Sequence, residues 1–331
     1  MLRTEFISTG FYVPERVVTN DEFTQWMDTS DEWIRTRTGI TERRWVANGQ
    51  GGADMAHEAA LVALSRAGLQ PRDLDCVIYC TLSPDYFFPG TGVFLQRKLG
   101  IPGVPCLDVR NQCTGFIYGL SVADAWIRTG QFKRILLVGS EVHSTGMDLT
   151  TRGRDLAVLF GDGAGVAILG PTSDDGRGVL STHIFADGRH AELLFCDAPS
   201  SARRPRLGQE DLDSGRIYPR MQGKEVFKHA STRMPESVQL ALSTNGLSAS
   251  DIKVLIPHQA NLRISEMVQR QLGLRDDQVY NNIQRYGNTT AGSIPIALDE
   301  VVQAGRLARG DLVILTAFGS GFTWGSAAIR W

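Results

Sequence analysis

The chain has 331 residues, enough for one large domain or for two that share a core. Hydrophobic content of 42% and charged content of 21% fit an ordinary globular protein, and a net charge of −2 excludes the basic footprint of a bulk nucleic-acid binder. Apolar runs such as Ile135-Leu136-Leu137-Val138 are too short to span a membrane, and Met1-Leu2-Arg3-Thr4-Glu5 lacks an apolar leader, so a cytoplasmic location is expected.

Taken in chain order, an amphipathic helix bearing Ala and Leu is expected to end at Gly68, followed by the strand Cys76-Val77-Ile78-Tyr79-Cys80. Its two thiols fall on one face and read as small core hydrophobes rather than a metal pair. The segment Asn111-Gln112-Cys113-Thr114-Gly115-Phe116 opens a helix through Tyr118 and Leu120. A thiol at a helix N-terminus faces unpaired N–H groups, so Cys113 is expected to ionise more readily than a free cysteine. Gly161-Asp162-Gly163-Ala164-Gly165 lacks the Gly-x-Gly-x-x-Gly spacing and precedes a strand, so it reads as a tight turn and not a dinucleotide site.

A boundary falls near Pro171-Thr172-Ser173-Asp174-Asp175-Gly176, dividing the chain into halves 1–172 and 173–331. Residues 197–221, rich in Arg, Pro, Ser and Asp, read as a surface excursion before a helix carrying Val226-Phe227. The strand Lys253-Val254-Leu255-Ile256 delivers Pro257-His258-Gln259-Ala260-Asn261, placing His258 at a sheet edge where open α/β folds carry their chemistry. Tyr286-Gly287-Asn288-Thr289-Thr290-Ala291-Gly292-Ser293 precedes another helix, and Gly319-Ser320-Gly321-Phe322-Thr323-Trp324-Gly325 lies near the C-terminus. Five cysteines, an odd number, fit reduced thiols, and no His-Glu-x-x-His or Cys-x-x-Cys spacing points to a metal.

An internal repeat organises these pieces. Gly68-Leu69, Asp73-Leu74 and Val77-Ile78 recur 178 positions later as Gly246-Leu247, Asp251-Ile252 and Leu255-Ile256. The same offset sets Cys113-Thr114-Gly115 over Ala291-Gly292-Ser293, which brings the Asn288 loop opposite the Cys113 loop. Alternating strands and helices imply two sheets covered on both faces, with small-residue helices between them.

Taken singly, Cys113 is an inert buried thiol, His258 a structural imidazole and Asn288 a helix N-cap. Together, from Asp28-Thr29-Ser30-Asp31-Glu32-Trp33 to the last strand, the segments resemble the β-ketoacyl-acyl-carrier-protein synthase III family. The resemblance implies an α/β, thiolase-like five-layered αβαβα fold built from two pseudo-twofold-related halves. It implies an acyltransferase that loads an acyl group from coenzyme A onto Cys113. The acyl group then undergoes decarboxylative Claisen condensation with a malonyl thioester on acyl carrier protein or coenzyme A, giving a β-ketoacyl thioester. By that resemblance His258 and Asn288 donate hydrogen bonds to the malonyl thioester carbonyl. Backbone N–H groups of Cys113 and Ser320 take the oxyanion, and Phe318 shields the site from water.

The resemblance further nominates Trp33, Arg37, Thr38, Arg152, Gly223, Phe227 and Asn261 along the coenzyme A arm, with Arg154 as the rival to Arg152. Phe88 is expected to reach the acyl pocket of the other subunit of a homodimer. Lys224, Lys228 and Arg263 form a basic rim for acyl carrier protein. No cofactor beyond the thioester substrates is implied, and no metal. Ser83-Pro84-Asp85 and Gln112-Cys113 resemble relatives that use aromatic or longer primers in specialised metabolism, so primer identity stays open. Two other readings are an acyltransferase on the same fold that does not decarboxylate and a non-catalytic carrier-protein-binding module. Relatives of the first kind carry an acidic residue where this chain has Asn288, and the intact Cys, His and Asn speak against the second.

Overall fold

In the first half of the chain, β1 (Arg3–Tyr12), β2 (Arg16–Thr19), α1 (Asp31–Thr38), β3 (Glu42–Trp45), α2 (Gly52–Ala67) and β4 (Cys76–Cys80) lead to α3 (Thr91–Leu99), β5 (Cys106–Val109) and α4 (Gly115–Arg128). Then come β6 (Ile135–Glu141), α5 (Arg154–Ala157) and β7 (Gly163–Thr172). The second half runs through β8 (Gly178–Ala186), β9 (Leu194–Phe195), α6 (Gln209–Asp213), β10 (Arg220–Met221), α7 (Gly223–Thr244) and β11 (Ile252–Pro257). It finishes with α8 (Leu262–Leu272), α9 (Ile283–Tyr286), α10 (Ser293–Gln303), β12 (Leu312–Gly319) and β13 (Thr323–Arg330). The computed structural model from which these elements are taken describes residues 2–174 and 176–331, so Asp175 of the expected boundary lies outside it.

The first sheet has the order β1-β7-β6-β4-β5 and the second the order β8-β13-β12-β11. In both, the two strands following the helical crossover pair in parallel and the outer hairpin pairs antiparallel. The fifth position of the second sheet is reduced to a single parallel bridge, Leu255 to Val279. Strands β4, β6 and β12 are buried along their whole length because both sheet faces are covered, which is why they are mostly apolar. Helices α2 and α3 cover the outer face of the first sheet, α7 and α8 that of the second, and α4 and α10 fill the space between. These are five layers, αβαβα.

The repeat is visible down to single bonds. Leu69 N–H donates to the Leu64 carbonyl and Leu247 N–H to the Leu242 carbonyl, both at 2.9 Å, closing the same helix-ending motif. Gly68 takes the left-handed position after α2; after α7 the cap itself is Asn245 and Gly246 takes the left-handed residue beyond it. Gln112 and Thr290, again 178 apart, are the non-glycine residues with positive φ among those described, at 46° and 47°. Each lies in the 3-10 turn that leads into a central helix. Cys113 therefore sits in a tight turn ahead of α4, not in the helix's first turn as its sequence suggested. Close approach of these turns to the first sheet requires glycine: a methyl group at Gly139 on β6 would collide with the Ala291 carbonyl.

Candidate active site

Three loops at the ends of buried elements meet here. Cys113 follows β5, His258 follows the last residue of β11, and Asn288 follows α9. The end of β12 adds Phe318 and Gly319, and a methyl group at Gly319 would stand 2.9 Å from the Cys113 Cβ. All five line one cavity of about 350 Å³. Gly319 packs directly against the Cys113 turn, whereas Ser320 is outside the cavity lining.

The two polar side chains that share the cavity with Cys113 are each held with one end hydrogen-bonded and the other without a protein partner. His258 N–H extends the β11–β12 ladder to the Thr316 carbonyl at 2.8 Å, fixing the ring's root. Its Nδ1 lies 2.7 Å from Ser293 Oγ, while its Nε2 is buried with no partner. Gln259 N–H also donates to Ser293 Oγ, at 3.4 Å. With the Ser293 hydroxyl donating to Nδ1, the ring proton of neutral His258 sits on Nε2, the nitrogen left for a ligand. Burial, with a smaller contribution from His143, pushes the His258 pKa down to about 3, so the ring is neutral. Asn288 Oδ1 accepts from Thr290 N–H at 2.9 Å, which leaves its NH₂ as the group available to a ligand.

The thiol departs from its expectation. Burial, followed by the charge of Glu141, pushes the Cys113 pKa up to about 12, the opposite of the lowering expected from a helix N-terminus. Desolvation penalises the thiolate more than the short turn can repay, and the nearby carboxyl adds like charge. Glu141 is itself pushed up to about 7 by burial, against hydrogen bonds from Thr81, Leu82 and Ser83.

Trp33, Arg37, Thr38, Gly223, Phe227 and Asn261 all line the same cavity. Arg37 stands 4.4 Å and Arg154 4.6 Å from the Trp33 ring centroid. Arg152 does not share that position: its Nε pairs with Asp148 at 2.6 Å and its guanidinium lies over Tyr218. Asn261 caps α8 through Arg263 N–H and also donates to the Arg37 carbonyl at 3.0 Å, tying α1 to α8 at the cavity mouth. Lys224, Lys228 and Arg263 are exposed near that mouth. Phe88 is 78% exposed and outside the cavity, beside the exposed Tyr86 and Phe87.

Ser83 and Asp85, which the sequence connected with primer choice, are engaged elsewhere. Ser83 bonds Glu141 at 2.6 Å, and Asp85 accepts from Gly52 and Ala53 N–H at the start of α2. Sequence reasoning missed Ser293, although it closes the quoted Asn288 motif, and the apolar wall of Leu159, Phe160, Met221, Ala230, Met234 and Ile264. Those wall residues look like ordinary core positions in sequence, so nothing marked them.

Residues 107–188 match the family model described as 3-oxoacyl-[acyl-carrier-protein] synthase III, and residues 242–331 match its C-terminal counterpart. A β-ketoacyl-[acyl-carrier-protein] synthase III of Rhodospirillum centenum is 44% identical, over 100% of this chain and 99% of its own. Among solved structures, 3-oxoacyl-[acyl-carrier-protein] synthase III of Aquifex aeolicus VF5 is 40% identical. It superposes with a TM-score of 0.90 over 99% of this chain and 100% of its own. The priming β-ketosynthase of the R1128 polyketide pathway is 30% identical, with a TM-score of 0.89 over 99% of this chain and 96% of its own. With its five-layer architecture and full-length similarity, the chain belongs to the β-ketoacyl-[acyl-carrier-protein] synthase III family, acyltransferases of the condensing-enzyme type on the thiolase fold.

Proposed function

We propose that Cys113 carries the acyl group between two half-reactions. In the first, the thiol sulfur attacks an acyl-coenzyme A thioester, and its proton leaves with the coenzyme A sulfur. In the second, a malonyl thioester loses carbon dioxide, and the electron pair moves toward its thioester carbonyl. The observation that carries this reading is the orphaned His258 Nε2, buried and turned toward the cavity that Cys113 and Asn288 also line. Two neutral donors aimed at one oxygen lower the barrier to a developing enolate without a proton transfer. The resulting carbanion attacks the Cys113 thioester carbonyl, and backbone N–H groups of Cys113 and Ser320 receive the second oxyanion; its collapse breaks the acyl C–S bond, releasing the β-ketoacyl thioester and the Cys113 sulfur, which takes up a proton. Phe318, 4% exposed at the cavity wall, keeps water from the carbanion.

Coenzyme A and the acyl carrier protein's phosphopantetheine arm would enter past Trp33, Arg37, Thr38 and Asn261, with Gly223 and Phe227 along the arm. Exposed Lys224, Lys228 and Arg263 suit an acidic carrier protein. The solvent-facing Tyr86, Phe87 and Phe88 suit a second copy of the chain, making the active form a homodimer. All five cysteines are free thiols, and among the described residues no helix is long and apolar enough to cross a membrane; both fit work in the cytoplasm.

The test is intact mass after incubation with a panel of acyl-coenzyme A thioesters, followed by carbon dioxide release from malonyl thioester. An acyl mass gain absent from Cys113→Ala is expected. Carbon dioxide release should fall about 10²–10³-fold in His258→Ala or Asn288→Ala. A mass gain that survives Cys113→Ala, or release indifferent to both other variants, would refute the assignment.

A further inference from the structure

A second imidazole stands behind the site, unused by the mechanism above. His143 lies two residues beyond β6 and is buried. Its backbone N–H is pinned to Asp162 Oδ1 at 2.7 Å, its ring packs 4.5 Å from the Phe160 ring, and its Nε2 lies 2.6 Å from Thr290 Oγ1. The bond to Thr290 crosses from the first half of the repeat to the second.

Thr290 is the strained residue of the Asn288 loop. A β-branched residue at φ 47° is an outlier that persists only where its surroundings hold it. The conformation has a consequence: it turns the Thr290 N–H back onto Asn288 Oδ1 at 2.9 Å. The Asn288 backbone is gripped separately, its N–H donating to Leu159 and its carbonyl accepting from Gly161. The loop's root is thus fixed by the 159–161 segment, but the side-chain amide's orientation depends on Thr290. The Thr290 hydroxyl in turn has His143 as its hydrogen-bond partner.

We propose that His143 is a positioning residue for carbanion formation: by binding Thr290 Oγ1 it keeps Thr290 left-handed, so that Asn288 presents its NH₂ rather than its oxygen to the malonyl thioester. This rests on the reading of Asn288 as a donor. An inverted or wandering amide would set a lone pair against the growing enolate charge, while Cys113 loading, which does not use that amide, would continue.

The experiment measures the two half-reactions separately in His143→Leu, Thr290→Val, the double variant, His143→Gln and Asn288→Ala. Loading of Cys113, followed by intact mass, should stay within about twofold of wild type in His143→Leu and Thr290→Val. In these two variants kcat for malonyl decarboxylation should fall roughly 10- to 10²-fold with KM little changed, the scale of a misplaced group. The double variant should be no slower than either single one, because both break the same bond. His143→Gln, whose amide can still hydrogen-bond the threonine hydroxyl, should recover part of the rate. If His143→Leu fails to fold, Thr290→Val and His143→Gln carry the comparison. Losses shared equally by both half-reactions, losses that multiply in the double variant, or no loss at all would overturn the inference. A slow Asn288→Ala beside an unimpaired His143→Leu overturns the positioning role alone. An unimpaired Asn288→Ala overturns the donor role of Asn288, and this inference with it.

Discussion

The Cys113 thiol opens only into a cavity and is otherwise enclosed by protein, and that enclosure sets its acidity. With its pKa raised above the ordinary thiol value to about 12, the free enzyme holds a neutral thiol at physiological pH, and the thiolate fraction grows as pH rises toward that value. Alkylation of Cys113 by iodoacetamide should therefore keep accelerating between pH 7 and 10, about tenfold per unit, with no plateau near the usual thiol pKa. A plateau by pH 8 would mean an activated thiolate instead. The sequence pointed the other way because a helix start is readable in Thr114-Gly115-Phe116, whereas the depth of the turn before it is not. For His258, the pKa lowered to about 3 keeps the ring neutral down to pH 5, so no imidazole titration should appear in the decarboxylation rate between pH 5 and 8. An acid limb near pH 6 in decarboxylation by acyl-loaded enzyme would contradict that.

At the scale of elements, the short helix α5 and the paired central turns matter most. Arg154 and Asp155 begin α5, which brings Arg154 over Trp33 and Asp155 to the cavity wall, while Arg152 is taken by Asp148. Arg154→Ala should raise KM for acyl-coenzyme A several-fold, about 1 kcal/mol of stacking, and Arg152→Ala should raise it less. The reverse order would show that Arg152 swings out to the ligand. The central turns depend on closeness to β6. Gly139→Ala forces a methyl group against the Ala291 carbonyl, and should lower stability by about 1–3 kcal/mol in denaturant unfolding. These contacts were partly legible: the 178-residue repeat predicted that the Cys113 and Asn288 turns face each other. It did not predict that Gln112 and Thr290 would share a left-handed backbone, since neither residue type advertises one.

Over the whole molecule, the proposed carrier-protein surface outside the cavity can be tested on its own. Exchanging Lys224, Lys228 and Arg263 together for Glu should reduce kcat/KM for carrier-bound malonyl roughly tenfold or more. It should leave malonyl-coenzyme A nearly unchanged, and the difference should shrink as salt is added. Equal losses on both substrates would move the carrier surface elsewhere. The sequence by itself determined the family and the αβαβα layering, and it singled out Cys113, His258 and Asn288, which line one cavity. Apolar periodicity and the repeat are local patterns, and the three segments keep their residue types wherever the chain places them. Only the tertiary structure decided the thiol's high pKa, the unpartnered Nε2 of His258, the choice of Arg154 over Arg152 beside Trp33 and the bond from His143 to Thr290. Each of these depends on burial and on partners more than 100 residues away or on side-chain direction, and neither is encoded in the spacing of neighbours along the chain.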